Sequence, residues 1–529
     1  MRQRVAGYRR VAPVALALAG MAAGGIVAGC SSGSQPTRST SQVSGAARPT
    51  GSWPYPNGDL TNTRDAVSSV ISSSNIASLK EAWSFKLSGT AAQGVSYAGS
   101  FAANPVVVDG VVYLQDLYAN VYAISLSTGQ LKWEYQANLA EKSGPGPDGV
   151  AVANGVVYGD TSTDVFALKA ATGAVVWDDK SLLNSGQGAF EIQPAVAGGR
   201  VYLASAYGSG PGGGVLLALD AATGKQLWRF NTVAGGVAPG VKALGLGSGG
   251  AWETPLVGAD GSVTFGTGNP YQSIGDAISH PSPDLYTDSE VNLDAATGKL
   301  RWYYQAVPND FKDYDIQLSP IAATVHGVPA IIAGGKMGDV YAFSSATGAL
   351  LWKTPVGAHN GHDNDSALLL AHKLTITFPY TFEPGPLGGV LTDMAVADGS
   401  VYLATIDLPL TAKTAAAVNG GSSAGVAPSG EIEALNLATG KVEWDTKVPT
   451  LPLGAATVSN DLVFTTLYNG ELLALNRATG AIVHEQKLPA TTNAPIAITR
   501  NTILIPAGAP RTSATGSPGT PQLVAYTVQ

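Results

Sequence analysis

A short polar loop at 359–365, with the sequence HNGHDND, concentrates side chains that could do chemistry. It holds two of the six histidines of the chain and two aspartates, and the candidate metal ligands are His359, His362, Asp363 and Asp365. Imidazole groups at this spacing, combined with carboxylates, suit zinc or another transition ion. A hydrogen-bonded turn beside the central glycine explains the same residues, and so does a loop that lines the mouth of a channel.

The single cysteine of the chain, Cys30, stands where its thiol would receive a lipid. Four arginines within the first ten residues precede an apolar stretch at 11–27, an order typical of a secretory signal. The small residues before Cys30 resemble the lipobox of bacterial lipoproteins. We therefore expect a signal peptide over 1–29 and an exported chain, lipid-anchored through Cys30 to the outer face of the cell membrane. An ordinary signal peptide is the alternative. A transmembrane helix is less favoured because Pro13 and several glycines interrupt a short apolar run.

Residues 31–50 are almost entirely Ser, Gly, Thr, Ala, Pro and Gln, a composition that cannot bury enough apolar surface to fold. With Cys30 they are interpreted as a flexible tether over 30–50. Acylation of Cys30 leaves no thiol for a disulfide, a thiolate metal site or an attached c-type haem. Electrons from any redox reaction would therefore leave through a separate electron acceptor.

The charge balance argues against one class of partner. The net charge is −8 and no basic run occurs outside the signal segment, so nucleic acid is not an expected partner. Charged residues make up only 13% of the chain, whereas glycine contributes 65 residues. Together with frequent Val, Thr and Tyr, this composition favours short strands joined by tight turns.

One phrase recurs along the chain: an apolar strand, a Thr-Gly turn, and a strand that ends in Trp. Its clearest copy is LDAATGKLRW at 293–302. Glycine takes the positive φ of a tight hairpin, and the flanking residues alternate as half-buried strands do. Each Trp would wedge between neighbouring sheets and bury about 150–250 Å², which stabilises the fold by a few kcal/mol at roughly 25 cal/mol per Å². The other turns lie at Gly129, Gly173, Gly224, Gly348, Gly440 and Gly480, and His484 replaces the tryptophan after the last of them.

The strand count predicts how the repeats close. Eight outer strands end at Trp83, at six later tryptophans of the repeat and at His484. The C-terminal strand at 523–526 has no outer strand after it, and the Trp83 strand can supply one. We therefore predict an all-β fold over 51–529, an eight-bladed β-propeller of four-stranded antiparallel blades. Pairing of the N-terminal strand with the last blade would close the ring and remove the free sheet edges.

Two gaps between successive repeat tryptophans are longer than a blade, one between Trp228 and Trp302 and one between Trp352 and Trp444. Function on propellers commonly resides in such inserted loops and at the central channel. The inserted segments are 234–250, 269–289, 357–386 and 411–430.

The repeat resembles the tryptophan-docking motif of quinoproteins that depend on pyrroloquinoline quinone (PQQ), and the resemblance spans the mature chain. The segment WPYPNGDLTNTR at 53–64 is similar to the opening of quinoprotein alcohol dehydrogenases. The family fold is the propeller predicted above. Non-catalytic propellers such as the outer-membrane assembly lipoprotein share the repeat, so the motif implies the fold more strongly than it implies catalysis.

The resemblance implies roles for five residues. Trp252 would stack on the quinone plane, and Lys336 would face the quinone oxygens and stabilise developing negative charge. Asn269, Asp313 and Asp315 would hold a Ca²⁺ or lanthanide ion, since hard cations take amide and carboxylate oxygens. Asp313 would also be the base that takes the alcohol proton. Each residue also has a structural explanation: Trp252 as core, Asn269 as a turn cap, and the two aspartates on a solvated loop.

The chain departs from the family at several positions. Asp148 stands where a PQQ-binding arginine is expected, Ser209 is aligned with a metal-binding glutamate, and Asn104 precedes Pro105 where a glutamate is usual. The family's vicinal disulfide is impossible with one cysteine. Two hypotheses follow: an extracytoplasmic quinoprotein dehydrogenase for an alcohol or sugar, and a non-catalytic tethered propeller that binds a polypeptide or glycan. Convergence of Asp313 and Lys336 favours the first.

Overall fold

Short antiparallel strands joined by tight turns account for almost all regular structure in the computed structural model of the chain. The structure describes residues 51–87, 101–139, 149–206, 213–233, 249–418, 425–508 and 520–529. The signal peptide, Cys30 and the tether predicted from the sequence lie outside these ranges. Within them, no helix is long and apolar enough to cross a membrane.

The strands form eight four-stranded antiparallel blades and one separate two-stranded ribbon. The first strand of the chain is β1 (Lys80–Lys86). Blade 1 consists of β2 (Val106–Val108), β3 (Val111–Gln115), β4 (Val121–Ser125) and β5 (Leu131–Tyr135). Blade 2 consists of β6 (Ala151–Ala153), β7 (Val156–Asp160), β8 (Val165–Lys169) and β9 (Val175–Asp179). Blade 3 consists of β10 (Ala195–Ala197), β11 (Arg200–Ala204), β12 (Val215–Asp220) and β13 (Gln226–Asn231). Blades 4 and 5 consist of β14 (Leu256–Val257), β15 (Ser262–Gly266), β16 (Ser289–Asp294) and β17 (Leu300–Gln305), and β18 (Ile321–Val325), β19 (Val328–Gly335), β20 (Asp339–Ser344) and β21 (Leu350–Pro355).

The second half of the ring continues the same plan around a small ribbon. The ribbon pairs β22 (Tyr380–Phe382) with β25 (Leu410–Ala412). Blade 6 consists of β23 (Ala395–Ala397), β24 (Ser400–Asp407), β26 (Ser429–Asn436) and β27 (Val442–Val448). Blade 7 consists of β28 (Thr457–Ser459), β29 (Leu462–Leu467), β30 (Glu471–Asn476) and β31 (Ile482–Lys487). Blade 8 consists of β32 (Ala497–Ile498), β33 (Thr502–Ala507), β34 (Gln522–Thr527) and β1.

The ring closes as predicted. β1 pairs antiparallel with β34, in a register that runs from Lys80 opposite Thr527 to Lys86 opposite Gln522. The N-terminal strand is therefore the outer strand of the last blade. This pairing joins the two ends of the sequence within one sheet and confirms the predicted eight-bladed propeller.

Seven tryptophans of the outer strands dock on glycine turns of the following blade, as the repeat predicted. These glycines have φ values of 69–74°. A Cβ added to any of them would lie 2.5–2.7 Å from the indole of the preceding blade. Each indole N–H also donates to a backbone carbonyl of the same turn at 2.8–3.0 Å. Glycine is therefore required at these turns both for its φ and for the close approach of the ring.

The structure explains why His484 replaces the eighth tryptophan. His484 pairs with Ala474 in blade 7, as Trp444 pairs with Ala434 in blade 6. The next blade is blade 8, in which β34 and β1 come from opposite ends of the sequence. No Thr-Gly turn joins those two strands, so an indole at 484 would have no turn to dock on.

The segment 53–66 fills the central channel, and we call it the plug. It exchanges backbone hydrogen bonds with innermost strands on different sides of the ring, at Val107, Ala322, Val396 and Val458. The opening motif of the sequence is therefore an internal support of the ring. These hydrogen bonds also satisfy backbone N–H and C=O groups of the innermost strands.

Arg64 is the main polar contact of the plug. Its guanidinium is fully buried and makes five hydrogen bonds of 2.6–2.9 Å to groups from the plug and from blades 1, 7 and 8. Burial lowers the pKa of Arg64 to about 10. One acceptor is Asn104, so the position at which the family usually has a glutamate serves the plug in this chain.

The inserted segments carry the two short α-helices, α1 (Ile274–Ser279) and α2 (Asp365–Leu370), and a turn of 3-10 helix at Ala415–Ala417, whereas a second 3-10 turn at Ile76–Ser78 precedes β1. Both helices pack with the β22–β25 ribbon in one apolar cluster that also includes residues just before β18. Members of this cluster are Ile274, Ala277, Phe311, Tyr314, Leu369, Tyr380, Phe382 and Leu410. Most of segment 234–250 lies outside the described residues.

The docking glycines allow a matched test in blade 1. Gly129→Ala would place Cβ 2.7 Å from the Trp83 ring at a φ of +69°, whereas Gly110→Ala has a φ of +73° and nothing within 4 Å. We expect Gly129→Ala to lower the free energy of unfolding by about 2–5 kcal/mol, because backbone strain and overpacking add. Gly110→Ala should cost only about 1–2 kcal/mol from strain. Denaturant unfolding measures both, and equal losses would contradict the docking role.

Candidate functional site

The five residues implied by the family resemblance lie on segments at the ends of blades 4 and 5. Trp252 precedes β14 and Asn269 follows β15, so the two flank one antiparallel hairpin at the same end of blade 4. Asp313 and Asp315 precede β18, and Lys336 follows β19, which gives the same arrangement in blade 5. Neighbouring blades therefore bring these side chains to one place.

Lys336 and the two aspartates form a buried ionic cluster. Lys336 Nζ lies 2.9 Å from Asp313 Oδ2 and 2.6 Å from Asp315 Oδ2, with side chains that are 11%, 22% and 0% exposed. Burial favours the neutral amine, but the two carboxylates outweigh it and raise the pKa of Lys336. Burial raises the pKa of Asp313 to about 7, although Lys336 acts in the opposite direction. Asp313 and Lys336 converge, as the dehydrogenase hypothesis requires.

Asn269 joins the same cluster through its amide. Its Nδ2 donates to Asp315 Oδ1 at 2.8 Å and makes a short contact with Asp313 Oδ1, and its backbone N–H also donates to Asp315 at 2.8 Å. Its Oδ1 accepts from the Tyr271 N–H at 2.5 Å. Two carboxylates and an amide thus meet at one point, a donor set suited to a hard cation. In this structure the two carboxylates face the N–H donors of Asn269 and the ammonium of Lys336.

Trp252 borders this cluster across Gly268. A Cβ added to Gly268 would lie 2.9 Å from Trp252 Cη2 and 3.0 Å from Asp315 Oδ1. The indole and the carboxylate are therefore both in contact range of the same glycine, with no room for a side chain between them. Trp252 is half-buried, which leaves part of its ring available to a planar ligand.

Asp310 shapes the turn that carries Asp313, a role that the sequence did not reveal. Its carboxylate accepts the backbone N–H of Lys312 at 3.0 Å and that of Tyr314 at 2.8 Å. Between them Asp313 has a φ of +68°. Non-glycine residues in this conformation are strained and occur preferentially at functional sites. The Asn-Asp pair at 309–310 is a common turn signal and could have indicated this role.

A second acid near the cluster was also missed. Asp288 is fully buried, and its carboxylate oxygens have no hydrogen-bond partner among the described residues. Burial, and then the negative charges of Asp310 and Asp315, raise its pKa well above the usual range. The only signal in the sequence was its place directly before the strand Ser289–Asp294, where several polar residues follow one another.

The structure divides the His-Asp loop into two separate pairs. His359 Nδ1 lies 2.5 Å from Asp363 Oδ1, and His362 Nδ1 lies 2.8 Å from Asp365 Oδ2. Both ring nitrogens of His359 are occupied, because Nε2 lies 3.1 Å from two backbone carbonyls. In the described part of the chain, no three His, Cys, Asp or Glu side chains are grouped to hold a metal ion. The four predicted ligands are therefore not brought together as one set.

Two other positions singled out in the sequence, Asp148 and Ser209, lie outside the described residues. The described residues thus contain the aspartate, amide, lysine and indole part of the candidate site.

Removal of the lysine tests the charge balance of the cluster. In metal-free protein, Lys336→Met leaves two buried carboxylates without a cation, and we expect a loss of about 3–5 kcal/mol in the free energy of unfolding. Lys180→Met is the matched control, because Lys180 also lies between two aspartates, at 3.1 and 3.2 Å, but is 67% exposed. Denaturant unfolding in EDTA should show little change for the control. Equally small changes for both variants would contradict the buried cluster.

The pKa of Asp313 predicts a pH-dependent stability. Because its folded pKa of about 7 lies above the ordinary aspartate pKa of 3.8, its cost to the fold grows as pH rises from about 4 to about 7. Asp313→Asn removes that cost and tolerates the positive φ. We expect no stabilisation of metal-free protein at pH 4 and on the order of 1–3 kcal/mol at pH 8. The same change in unfolding free energy at both pH values would be the contrary result.

Comparison with known proteins identifies the family of the chain. The PQQ family described as "Glucose/ethanol/alcohol dehydrogenase, beta-propeller domain" matches residues 53–161 and 184–358, more than half of the chain. A second family, "Outer membrane protein assembly factor BamB", matches residues 428–515.

Curated relatives are quinoprotein alcohol dehydrogenases. The quinohemoprotein alcohol dehydrogenase of Comamonas testosteroni is 27% identical over 383 residues, which cover 65% of this chain and 52% of the relative. The quinoprotein alcohol dehydrogenase PedH of Pseudomonas putida is 28% identical over 273 residues, which cover 46% and 44%. The chain thus spans about half the length of the curated relatives it matches.

Solved structures share the fold. The Comamonas testosteroni quinohemoprotein alcohol dehydrogenase superposes with a TM-score of 0.74 at 22% identity, over 90% of this chain and 80% of that one. A europium-containing methanol dehydrogenase gives a TM-score of 0.72 at 18% identity, over 90% and 98%. With the family match over more than half of its length, the chain belongs to the PQQ-dependent alcohol dehydrogenase-like family of β-propellers.

Proposed function

We propose that this protein is an extracytoplasmic quinoprotein dehydrogenase that oxidises an alcohol or sugar with PQQ and a Ca²⁺ or lanthanide ion. The observation that carries the proposal is the convergence of Asp313, Asp315, Asn269 and Lys336 within hydrogen-bonding distance of one another. Separately, each side chain has an ordinary structural explanation. A buried group of this composition, in the matched family, is best explained by a bound cation and cofactor.

The donor set supports binding of a hard cation. Asp313 and Asp315 offer carboxylate oxygens with the amide of Asn269 beside them, and the buried carboxyl groups of Asp288 and Asp310 lie close to the cluster. In the metal-free protein, Lys336 supplies the only ammonium in contact with Asp313 and Asp315 among the described residues. A cation of higher charge would compensate the cluster more completely than one ammonium does.

The chain also supplies groups suited to the quinone. Bound PQQ supplies the two-electron oxidant for the substrate. The half-buried Trp252 offers a flat face on one side of Gly268, and Lys336 offers an ammonium beside the aspartates. In this arrangement Lys336 would stabilise negative charge on a ligand oxygen, in a site where burial strengthens the interaction.

Asp313 is the proposed base. Its pKa of about 7 means that a substantial fraction is ionised at neutral pH, and that the carboxylate remains basic enough to take the proton of a substrate hydroxyl on an Oδ atom. Asp315 is fully buried beside it, so Asp313, with 22% exposure, is the aspartate of the pair that a substrate can reach. The contacts with Lys336 and Asn269 hold the carboxyl of Asp313 in the cluster.

The setting of the enzyme is part of the proposal. Cys30 is the only cysteine of the chain and follows a secretory-type segment, which supports export and a lipid anchor on the outer face of the cell membrane. With Cys30 acylated, the chain has no thiol to attach a c-type haem, so we propose that a separate electron acceptor reoxidises the cofactor.

Titration of the purified protein with PQQ and Ca²⁺ or La³⁺, followed by dye-linked oxidation of alcohols and sugars, tests this function. We expect saturable binding, and a loss of at least about 100-fold in rate for Asp313→Ala, because a general base contributes this much or more. Asp260→Ala is the control, since Asp260 is a 47% exposed residue of blade 4 that pairs with Arg301. Absence of PQQ binding with either metal would overturn the enzyme and favour a non-catalytic tethered propeller for a polypeptide or glycan.

A further inference from the structure

The inserted segment 357–386, which we call the brace, contains the His-Asp loop, α2 and β22. None of its side chains belongs to the ionic cluster described above. It nevertheless packs against the turn that carries Asp313 and against the turn that carries Lys336. The contacts on each side indicate what this insertion does.

The first contact is made by Lys312, the neighbour of the proposed base. Its side chain is fully buried, and Nζ donates to the backbone carbonyl of His362 in the brace. The ammonium lies 5.6 Å from the ring centre of Phe311, 5.0 Å from that of Tyr314 and 5.5 Å from that of Phe382. A lysine held by three aromatic rings and a carbonyl attaches the turn to the brace through cation–π and hydrogen-bonding interactions.

Two further hydrogen bonds attach the same turn. Tyr314 Oη donates to the carbonyl of Pro384 at 2.6 Å, and Ser366 Oγ lies 3.4 Å from the Asp310 carboxylate. Asp310 in turn holds the backbone on both sides of Asp313. The turn is therefore tied to the brace at three of its residues.

The second turn is tied by His359. Its Nε2 lies 3.1 Å from the carbonyl of Gly338, in the turn between β19 and β20, and 3.1 Å from that of Val356, directly after β21. Its Nδ1 lies 2.5 Å from Asp363. Gly338 is two residues from Lys336. Asp363 is on the same loop as the carbonyl of His362 that accepts from Lys312, so one loop of seven residues contacts both turns.

We propose that the brace positions Asp313 relative to Lys336 and Asp315, with Lys312 as the main positioning residue. This inference rests on the proposed function, because it assigns the insertion to the same site. The placement of a metal ligand matters because removal of a residue that orients such a ligand changes metal affinity or activity by about 10- to 100-fold. Lys312 points away from the cluster and acts only through the turn.

Terbium luminescence, sensitised by Trp252, measures this placement without PQQ or turnover. Asp313→Ala should abolish or greatly weaken the signal of the wild-type protein. Lys312→Met keeps the apolar stem and removes the ammonium, and we expect about 10- to 100-fold weaker Tb³⁺ binding. The luminescence lifetime in H₂O and D₂O should also report additional water on the ion. A purely structural lysine would lower the melting temperature without changing that hydration.

Lys353→Met is the matched control. Lys353 Nζ also lies over an aromatic ring, 5.5 Å from the centre of Tyr341, and pairs with Asp339 at 2.6 Å, but both partners lie on β20 and neither belongs to the turn that carries Asp313. Its Tb³⁺ affinity and lifetime should remain within about twofold of the wild-type values, well below the 10-fold effect of a positioning residue.

Tyr314→Phe decides the matter if Lys312→Met does not fold, because it removes only the hydrogen bond to Pro384. It should weaken Tb³⁺ binding and add water to the ion while keeping a cooperative melting transition. Failure of the wild-type protein to bind Tb³⁺ would overturn the proposed function together with this inference. Wild-type binding that is unchanged in every folded variant of Lys312 and Tyr314 would overturn the positioning role alone.

Discussion

The contact of an indole with a glycine of the next blade is the interaction on which the rest of this structure depends. Trp302 of blade 4 reaches Gly348 of blade 5 and donates to the Ser345 carbonyl at 2.8 Å, which fixes how these two blades lie beside each other. Their ends carry the two halves of the candidate site, with Asn269 on one and Asp315 on the other. The repeat that sets the geometry of the ring therefore also sets the distance between the Asn269 amide and the Asp315 carboxylate, although neither residue belongs to the repeat.

The site combines groups that are unfavourable for the fold. A buried aspartate with a positive φ and a second buried acid whose oxygens have no hydrogen-bond partner among the described residues each raise the free energy of the folded protein. The plug contacts blades 4 and 5 through Asn62, whose amide donates to the carbonyls of Thr254 and Pro320, and the brace holds the turn of Asp313 through Lys312. The groups of the site and the groups that support it therefore lie on different segments of the chain.

The sequence was sufficient for the ring and insufficient for the supports of the site. Regular spacing of Thr-Gly and Trp predicted the blades, their number and the pairing of β1 with β34, because each repeat is a local pattern. The convergence of Asp313 with Lys336 followed from resemblance to a family, and not from any local pattern. The His-Asp loop had the composition of a metal site, but His359 uses both ring nitrogens within the protein. Such roles depend on contacts between segments about 20 to 50 residues apart, which spacing alone does not encode.

The pairing of β1 with β34 has a consequence for the order in which the molecule can assemble. Every other blade is built from strands that are close in sequence and can form as soon as they are synthesised, whereas blade 8 needs both ends of the chain. Until residues 522–527 are available, β1 has no partner in the ring. The final sheet is therefore a late folding event, and an intermediate with one open seam between β34 and β1 is the species most exposed to misassembly.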